Sequence, residues 1–218
     1  MKTAKIPATG QQFPIGKIVC LARNYAEHAR ELGNETPPAP VLFMKPASSV
    51  IGDGGTVRIP PYSQECHYEV ELAVLIGREC RAVSAENAME YVAGYGTAID
   101  MTLRDVQNKL KAKGLPWEIA KGFDTACPLS DFVPAPTVAD PHNLRLRLSV
   151  NGALRQDGCS SDMLHRLPQI IAHVSAIFTL EPGDVILTGT PAGVGQVVAG
   201  DVMEADIEGV ARLNIHIQ

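Results

Sequence analysis

His67-Tyr-Glu-Val-Glu-Leu-Ala-Val-Leu-Ile-Gly77 is the stretch on which the reading of the whole chain turns. With period two, Tyr68, Val70, Leu72, Val74 and Ile76 fall on one face, and Glu69, Glu71, Ala73 and Leu75 on the other. The β-branched and aliphatic run ends at a glycine, so it reads as a strand. It is almost wholly apolar, which predicts burial on both faces. Two carboxylates then point the same way from a core strand, about 6.6 Å apart along the chain. Ionised carboxylates so placed are costly unless something neutralises them. A divalent cation is one answer, and all-oxygen ligation favours Mg²⁺ or Mn²⁺ over Zn²⁺. An edge strand with one glutamate in solvent and the other in an ion pair is the second answer. These residues alone leave both open.

Outward from this strand, the 218 residues suffice for one domain with a sizeable core. Hydrophobic residues make up 45% and charged residues 20%, as in an ordinary globular chain. A net charge of −5 and the lack of clustered Lys and Arg argue against nucleic acid as a partner. No apolar run is long enough for a membrane span, and the N-terminus lacks the apolar stretch of a signal peptide. The five cysteines are odd in number and show no Cys-x-x-Cys spacing, which reads as reduced thiols in a cytoplasmic protein. Cys66-His67 has no second pair at zinc-finger spacing.

Upstream, residues 1–15 read as an N-terminal arm, and residues 16–218 as a single catalytic domain without repeat or linker. Gly16–Leu21 reads as a strand. Asn24 stands three residues before Glu27, the capping-box spacing, so a short polar helix is predicted over 24–33, ending at Gly33. His28 and Glu31 share one face of it. They read either as a solvated charged face or as a base oriented by a carboxylate on a segment that opens and closes. The loop 34–40 holds three prolines. Val41–Lys45 reads as a strand ending at Pro46.

Downstream, Ser84–Val92 reads as a helix. Ala93–Ile99 is a strand with Asp100 at its end, followed at once by a helix carrying Arg104 and Gln107 three apart and ending at Gly114. An acidic residue where a buried strand gives way to a helix suits a third metal ligand. Trp117–Asp124, with Lys121, reads as irregular, and the proline-rich stretch 128–143 as surface wrapping. Leu144–Val150 alternates, and Asn151-Gly152 is a strong type I′ hairpin signal. Pro168 suits the first turn of a helix over about 167–179. Val185–Thr188 is a strand leading into Gly189-Thr-Pro-Ala-Gly-Val-Gly195. This loop lacks the phosphate-binding pattern but can present N–H groups and Thr190 to a carboxylate.

The set Glu69-x-Glu71, Asp100, Arg104-Asp-Val-Gln107, Lys121 and Gly189-Thr-Pro-x-Gly-Val-Gly195 resembles the fumarylacetoacetate hydrolase family. Arg23-Asn-Tyr-Ala-Glu-His28, Gly114-Leu-Pro-Trp117 and Leu187-Thr-Gly-Thr-Pro191 resemble its small single-domain branch of acylpyruvate hydrolases, fumarylpyruvate hydrolases and oxaloacetate decarboxylases. The resemblance runs from about Lys17 to the C-terminus. It implies an α+β, mainly β fold, a mixed β-sandwich or roll with a few peripheral helices, and a homodimer. It implies Mg²⁺ or Mn²⁺ on Glu69, Glu71 and Asp100, and catalytic roles for His28 and Glu31, as a base dyad on a lid helix, and for Lys121. Arg23, Asn24, Arg104, Gln107 and Thr190 carry over as substrate contacts.

The reaction this implies is cleavage of the C–C bond of a 2,4-dioxo acid, such as fumarylpyruvate, to pyruvate and a carboxylate through a metal-stabilised enolate. The same enolate serves an oxaloacetate decarboxylase or an oxaloacetate keto–enol tautomerase. The His28–Glu31 pair places hydrolysis first, because only hydrolysis needs an activated water. A non-catalytic binding protein on the same fold is the remaining reading. The acyl group is expected to be set around Tyr25, Phe43 and the 34–40 loop.

Overall fold

The computed structural model describes residues 1–31, 33, 37 and 39–218. The glutamate-bearing stretch forms two strands, Cys66–Tyr68 and Val70–Ile76, which part at Glu69. Val70–Ile76 lies in a six-stranded mixed sheet between Val92–Ile99 and Val185–Leu187, antiparallel to both. Lys17–Ala22 and Val41–Pro46 extend this sheet on one side, and Val133–Pro134 on the other. Cys66–Tyr68 instead pairs with Thr102–Leu103 and Gly195–Val197 in a three-stranded sheet. At the break, the Val70 N–H donates to Gln156 Oε1 at 2.9 Å, so a side chain satisfies the amide there.

A second sheet has five strands, in the order Ala153–Cys159, Arg145–Val150, Val202–Ile207, Ala211–Ile217 and Thr56–Val57. Its first hairpin turns at Asn151-Gly152 with φ of 51° and 76°, as a type I′ turn requires. Every residue of Val70–Ile76 is buried, and period two divides them between two cores. Leu72, Val74 and Ile76 share the main core with Leu146, Leu148, Met203, Leu213 and Ile215 of the five-stranded sheet. Ala73 and Leu75 join a smaller core with Cys127, Phe132, Val185 and Leu187. The architecture is the α+β, mainly β sandwich that the sequence implied.

Among the described residues, four α-helices lie around the sheets: α1 (Ala26–Glu31), α2 (Arg104–Ala112), α3 (Glu118–Lys121) and α4 (Leu167–Ile177). None among the described residues is long and apolar enough to cross a membrane. Pro168 occupies the first turn of α4, where its missing N–H costs nothing. Several local readings are corrected. The N-terminal segment is an antiparallel hairpin, Thr3–Ile6 with Gln11–Pro14, that buries Ala4 and Ile6. Ser84–Val92 yields only a 3₁₀ turn, Ala88–Tyr91, because Val92 already opens the next strand. The stretch around Lys121, read as irregular, contains α3. Of the helix expected over 24–33, the structure shows α1 over Ala26–Glu31; residue 32, and residues 34–36 and 38 of the 34–40 loop, lie outside the described residues.

All five cysteines are free, and only Cys159 is not buried. Burial pushes the Cys66 and Cys127 thiols up to about 12. The thiolate is the reactive form, so alkylation of the native protein at neutral pH should label Cys159 alone. Peptide mapping after brief iodoacetamide treatment checks this; prompt labelling of Cys66 or Cys127 would refute their buried placement.

Candidate active site

The break at Glu69 and the adjacent strand bring three carboxylates together. Glu71 lies opposite Ala98 on Val92–Ile99, and Asp100 follows the end of that strand. The Asp100 N–H donates to the Glu69 carbonyl at 2.8 Å, which fixes the two residues against each other. One carboxylate oxygen from each of Glu69, Glu71 and Asp100 lies within 4.8 Å of the others, and all three residues are buried. A set of hard oxygen donors at this spacing is capable of holding a divalent cation.

The surrounding charges are unevenly shared. Glu69 accepts from Arg104 and from Lys121 Nζ at 2.9 Å. Asp100 faces Lys121 Nζ at 2.6 Å and Lys45 Nζ at 2.7 Å. Burial raises the Glu69 pKa, but Lys121, Arg104 and His28 outweigh it and hold the carboxyl well below its usual range. Glu71 differs. Among the described residues its one hydrogen-bond partner is the Gly189 N–H at 2.6 Å, and no cation pairs with it. Burial, then repulsion from Asp100 and Glu69, pushes its carboxyl well above the usual range. A buried carboxylate facing two others without its own cation fits a divalent ion completing the cluster.

Lys45 and Gln156 hold this geometry, and neither stood out in the sequence. Lys45 is wholly buried and donates to the carbonyls of Lys121, Ala126 (2.9 Å) and Met101 (3.1 Å). Gln156 Nε2 donates to Thr190 Oγ1 at 2.8 Å and to the Pro191 carbonyl at 2.9 Å, while its Oε1 accepts at the strand break. Gln156 thus ties the glycine-rich loop to the glutamate strand. A lysine at a strand end and a glutamine within a hairpin strand carry no local signal of these roles.

A single cavity is lined by His28, Glu69, Glu71, Lys121, Arg104, Gln107, Thr190 and Arg23 of the predicted residues, and by Phe43, Trp117 and Lys111. Phe43 lies under Lys121 Nζ at 4.8 Å and tilts against Trp117 at 5.9 Å, giving one aromatic wall. Arg104 donates to Gln107 at 2.7 Å, which orients both on one face of α2. Asn24 does not line the cavity. Its amide donates to the carbonyls of Thr188 (2.8 Å) and His165 (3.1 Å), and its oxygen accepts from the His165 N–H (2.8 Å). These contacts occupy its side chain in place of the helix cap that its spacing suggests. Tyr25 is buried and does not line this cavity either.

His28 and Glu31 are brought together but are not hydrogen-bonded: Nδ1 and Oε2 stand 3.6 Å apart. Glu31 instead accepts from the Gly193 N–H at 3.1 and 3.2 Å. His28 is buried, and burial lowers its pKa below the usual value of 6.5, with Arg104 and Lys121 adding to the effect and Glu69 and Glu31 opposing it. Its imidazole is therefore neutral at neutral pH and can accept a proton.

The fumarylacetoacetate (FAA) hydrolase C-terminal family matches residues 17–218. The mitochondrial oxaloacetate tautomerase FAHD1 of Bos taurus is 52% identical over 201 residues, covering 92% of this chain and 91% of the relative. Oxaloacetate tautomerase YcgM of Escherichia coli is 48% identical, covering 90% of each chain. Among solved structures, fumarylpyruvate hydrolase from Pseudomonas aeruginosa in complex with Mn²⁺ and pyruvate superposes with a TM-score of 0.94. It is 36% identical and covers 99% of this chain and 95% of that one.

Gly189 sits at φ +92°, and a Cβ there would meet the Asn24 Cβ at 2.8 Å. Gly189→Ala should therefore destabilise the protein by about 2 kcal/mol, lowering the thermal midpoint by roughly 4–8 °C. Differential scanning calorimetry reads this directly, and an unchanged midpoint would contradict the tight approach of the loop to Asn24.

Proposed function

The chain belongs to the fumarylacetoacetate hydrolase family, and from that premise we propose that it is a metal-dependent enzyme interconverting the keto and enol forms of oxaloacetate. The observation that carries this reading is the 48–52% identity, over nine-tenths of the chain, to tautomerases named for that substrate. The sequence motifs alone rank hydrolysis first; the names of these relatives favour tautomerisation. The lid geometry supports this preference. Hydrolysis needs a water activated by the His28–Glu31 pair, yet Glu31 is engaged by Gly193 and stands beyond hydrogen-bond distance of His28. Tautomerisation needs one base and no water.

Glu69, Glu71 and Asp100 would hold Mg²⁺ or Mn²⁺, whose Lewis acidity favours the enol form of a 2-oxo acid. The protein's own groups do the rest. Neutral His28 takes a proton from the carbon beside the keto group, and the proton is returned to the oxygen. Lys121, bracketed by Glu69 and Asp100, stays protonated and offsets negative charge on that oxygen. Arg104, Gln107 and Thr190 position the carboxylate of the substrate. Thr190 suits this because its oxygen accepts from Gln156, which leaves its O–H free to donate.

The second reading, hydrolysis of a 2,4-dioxo acid, keeps one observation in its favour: the 0.94 TM-score to a fumarylpyruvate hydrolase. It needs Glu31 to turn from Gly193 to His28.

The deciding assay offers metal-stripped and Mg²⁺- or Mn²⁺-reloaded protein oxaloacetate, fumarylpyruvate and acetylpyruvate. Enol decay, pyruvate and CO₂ are followed separately. We expect metal-dependent tautomerisation of oxaloacetate with kcat/KM of roughly 10⁴ M⁻¹s⁻¹ or more. Efficient release of pyruvate from an acylpyruvate, with inert oxaloacetate, would overturn the reading.

His28 must be neutral to act as a base, and its pKa is lowered, so activity should hold at neutral pH and fall only as pH drops below the usual histidine value of 6.5. His28→Gln should reduce the rate by about 10²–10⁴-fold and remove that acid limb. An acid limb unchanged in the variant would assign the titration to another group.

A further inference from the structure

We propose that Phe43 and Trp117 form a fixed aromatic wall that limits the size of the substrate, admitting compact, unbranched 2-oxo acids and excluding those with a branched distal group. The proposal rests on the 2-oxo acid reading of the inner site and specifies its substrate class.

The wall stands on two elements that interlock. Phe43 and Lys45 are two apart on the strand Val41–Pro46 and so share a face. Trp117 precedes α3, and the Lys121 N–H donates to its carbonyl at 2.9 Å, so residues 117 and 121 lie one helical turn apart on the same side. The two pairs meet. The Phe43 ring lies 4.8 Å from Lys121 Nζ and 5.9 Å from the Trp117 ring, while Lys45 donates to the Lys121 carbonyl. Phe43, Trp117 and Lys121 all line the cavity, and Tyr25, the other aromatic side chain expected there from the sequence, does not.

Three observations make this wall the part that measures the substrate. The contacts run outward from the buried carboxylates through Lys121 to Phe43 and then to Trp117, and both rings are half-buried. A 2-oxo acid held at its carboxylate and keto oxygen by the inner site therefore extends its distal group along the rings. The space is small, about 420 Å³ with its mouth included, toward the lower end for small-molecule sites. The wall also has little freedom to retreat. A Cβ on Gly122 would meet Pro46 Cδ at 2.8 Å, so the end of α3 and the strand leave no room for a side chain between them. A rigid apolar wall discriminates by bulk, since added methyl groups meet atoms that cannot repack.

Trp117 is the sole tryptophan of the chain, so its emission reports on the wall without any substitution. On the full-length Mn²⁺-loaded protein, titration calorimetry and Trp117 fluorescence are followed with 2-oxobutyrate and 4-methyl-2-oxopentanoate, which differ in the bulk of the distal group. The wild type should bind 2-oxobutyrate tighter by about tenfold or more, with a saturable change in emission. Trp117→Ala should tighten the branched acid about tenfold and change 2-oxobutyrate by less than about threefold. Trp117→Phe should retain most of the discrimination, which a role confined to folding would not predict. Equal wild-type affinity for both acids, equal weakening of both by Trp117→Ala, or binding that leaves the Trp117 emission unchanged overturns the wall. Because binding is read without turnover, failure of the tautomerase reading shows separately, as size discrimination in a protein that does not convert oxaloacetate. If the wild type binds neither acid, the size limit and the 2-oxo acid reading fall together.

Discussion

Three carboxylates within 4.8 Å of one another in a protein interior is the constraint on which the rest of this molecule depends. Desolvation and mutual repulsion both oppose it. The fold answers with three cations drawn from three elements: Lys45 from the strand Val41–Pro46, Arg104 from α2 and Lys121 from α3. Each is itself buried, so each must be held by hydrogen bonds as well as charge. Lys45 meets that need through carbonyls of residues 101, 121 and 126, and thereby fixes the Asp100 turn, the end of α3 and the strand after it about a single ammonium. Among the described residues, the cations pair with Glu69 and Asp100, and Glu71 has only a backbone N–H. The cluster is thus capable of holding a divalent cation, with Glu71 as the carboxyl that nothing else neutralises among the described residues.

The strand break follows from the same constraint. A continuous strand through residues 66–76 would keep Glu69 within the regular ladder. Parting it at Glu69 lets Cys66–Tyr68 join a different sheet from Val70–Ile76, and the freed Val70 amide is taken by Gln156. Gln156 also holds Thr190 and Pro191. One side chain therefore joins the glutamate strand to the glycine-rich loop, and Gly189 of that loop returns to cap Glu71. This face of the cluster is closed by short-range polar contacts on a buried apolar frame.

What the sequence discloses and what it withholds divide along the range of the interactions. The period-two face of residues 68–76, the Asn151-Gly152 turn and Pro168 at the start of α4 are legible because each is set by local geometry. Arg104 and Gln107 share a face by helical spacing alone. Lys45 and Gln156 are not legible, since their partners lie as far as 81 and 86 residues away. Asn24 shows the same limit from the other side. Its capping-box spacing is sound local chemistry, but His165 and Thr188, 141 and 164 residues distant, take its side chain. Ser84–Val92 has an apolar stripe fit for a helix, and the ladder partner at Ile76 draws Val92 into a strand instead.

The inner site also explains why family resemblance stops short of a reaction. Carboxylates, lysine and a bound divalent ion favour an enolate of any 2-oxo acid, whichever bond or proton made it. Discrimination must come from groups farther out, where Glu31 has two possible partners. Held by Gly193, as here, it leaves the His28 imidazole without a carboxylate hydrogen-bond partner among the described residues, which suits the proton transfer proposed above. Turned to His28, it would make a pair suited to activating water. Those alternatives differ by a rotation of one half-exposed side chain on α1. Chemistry on this scaffold can therefore diverge through α1 while the buried charge cluster is kept.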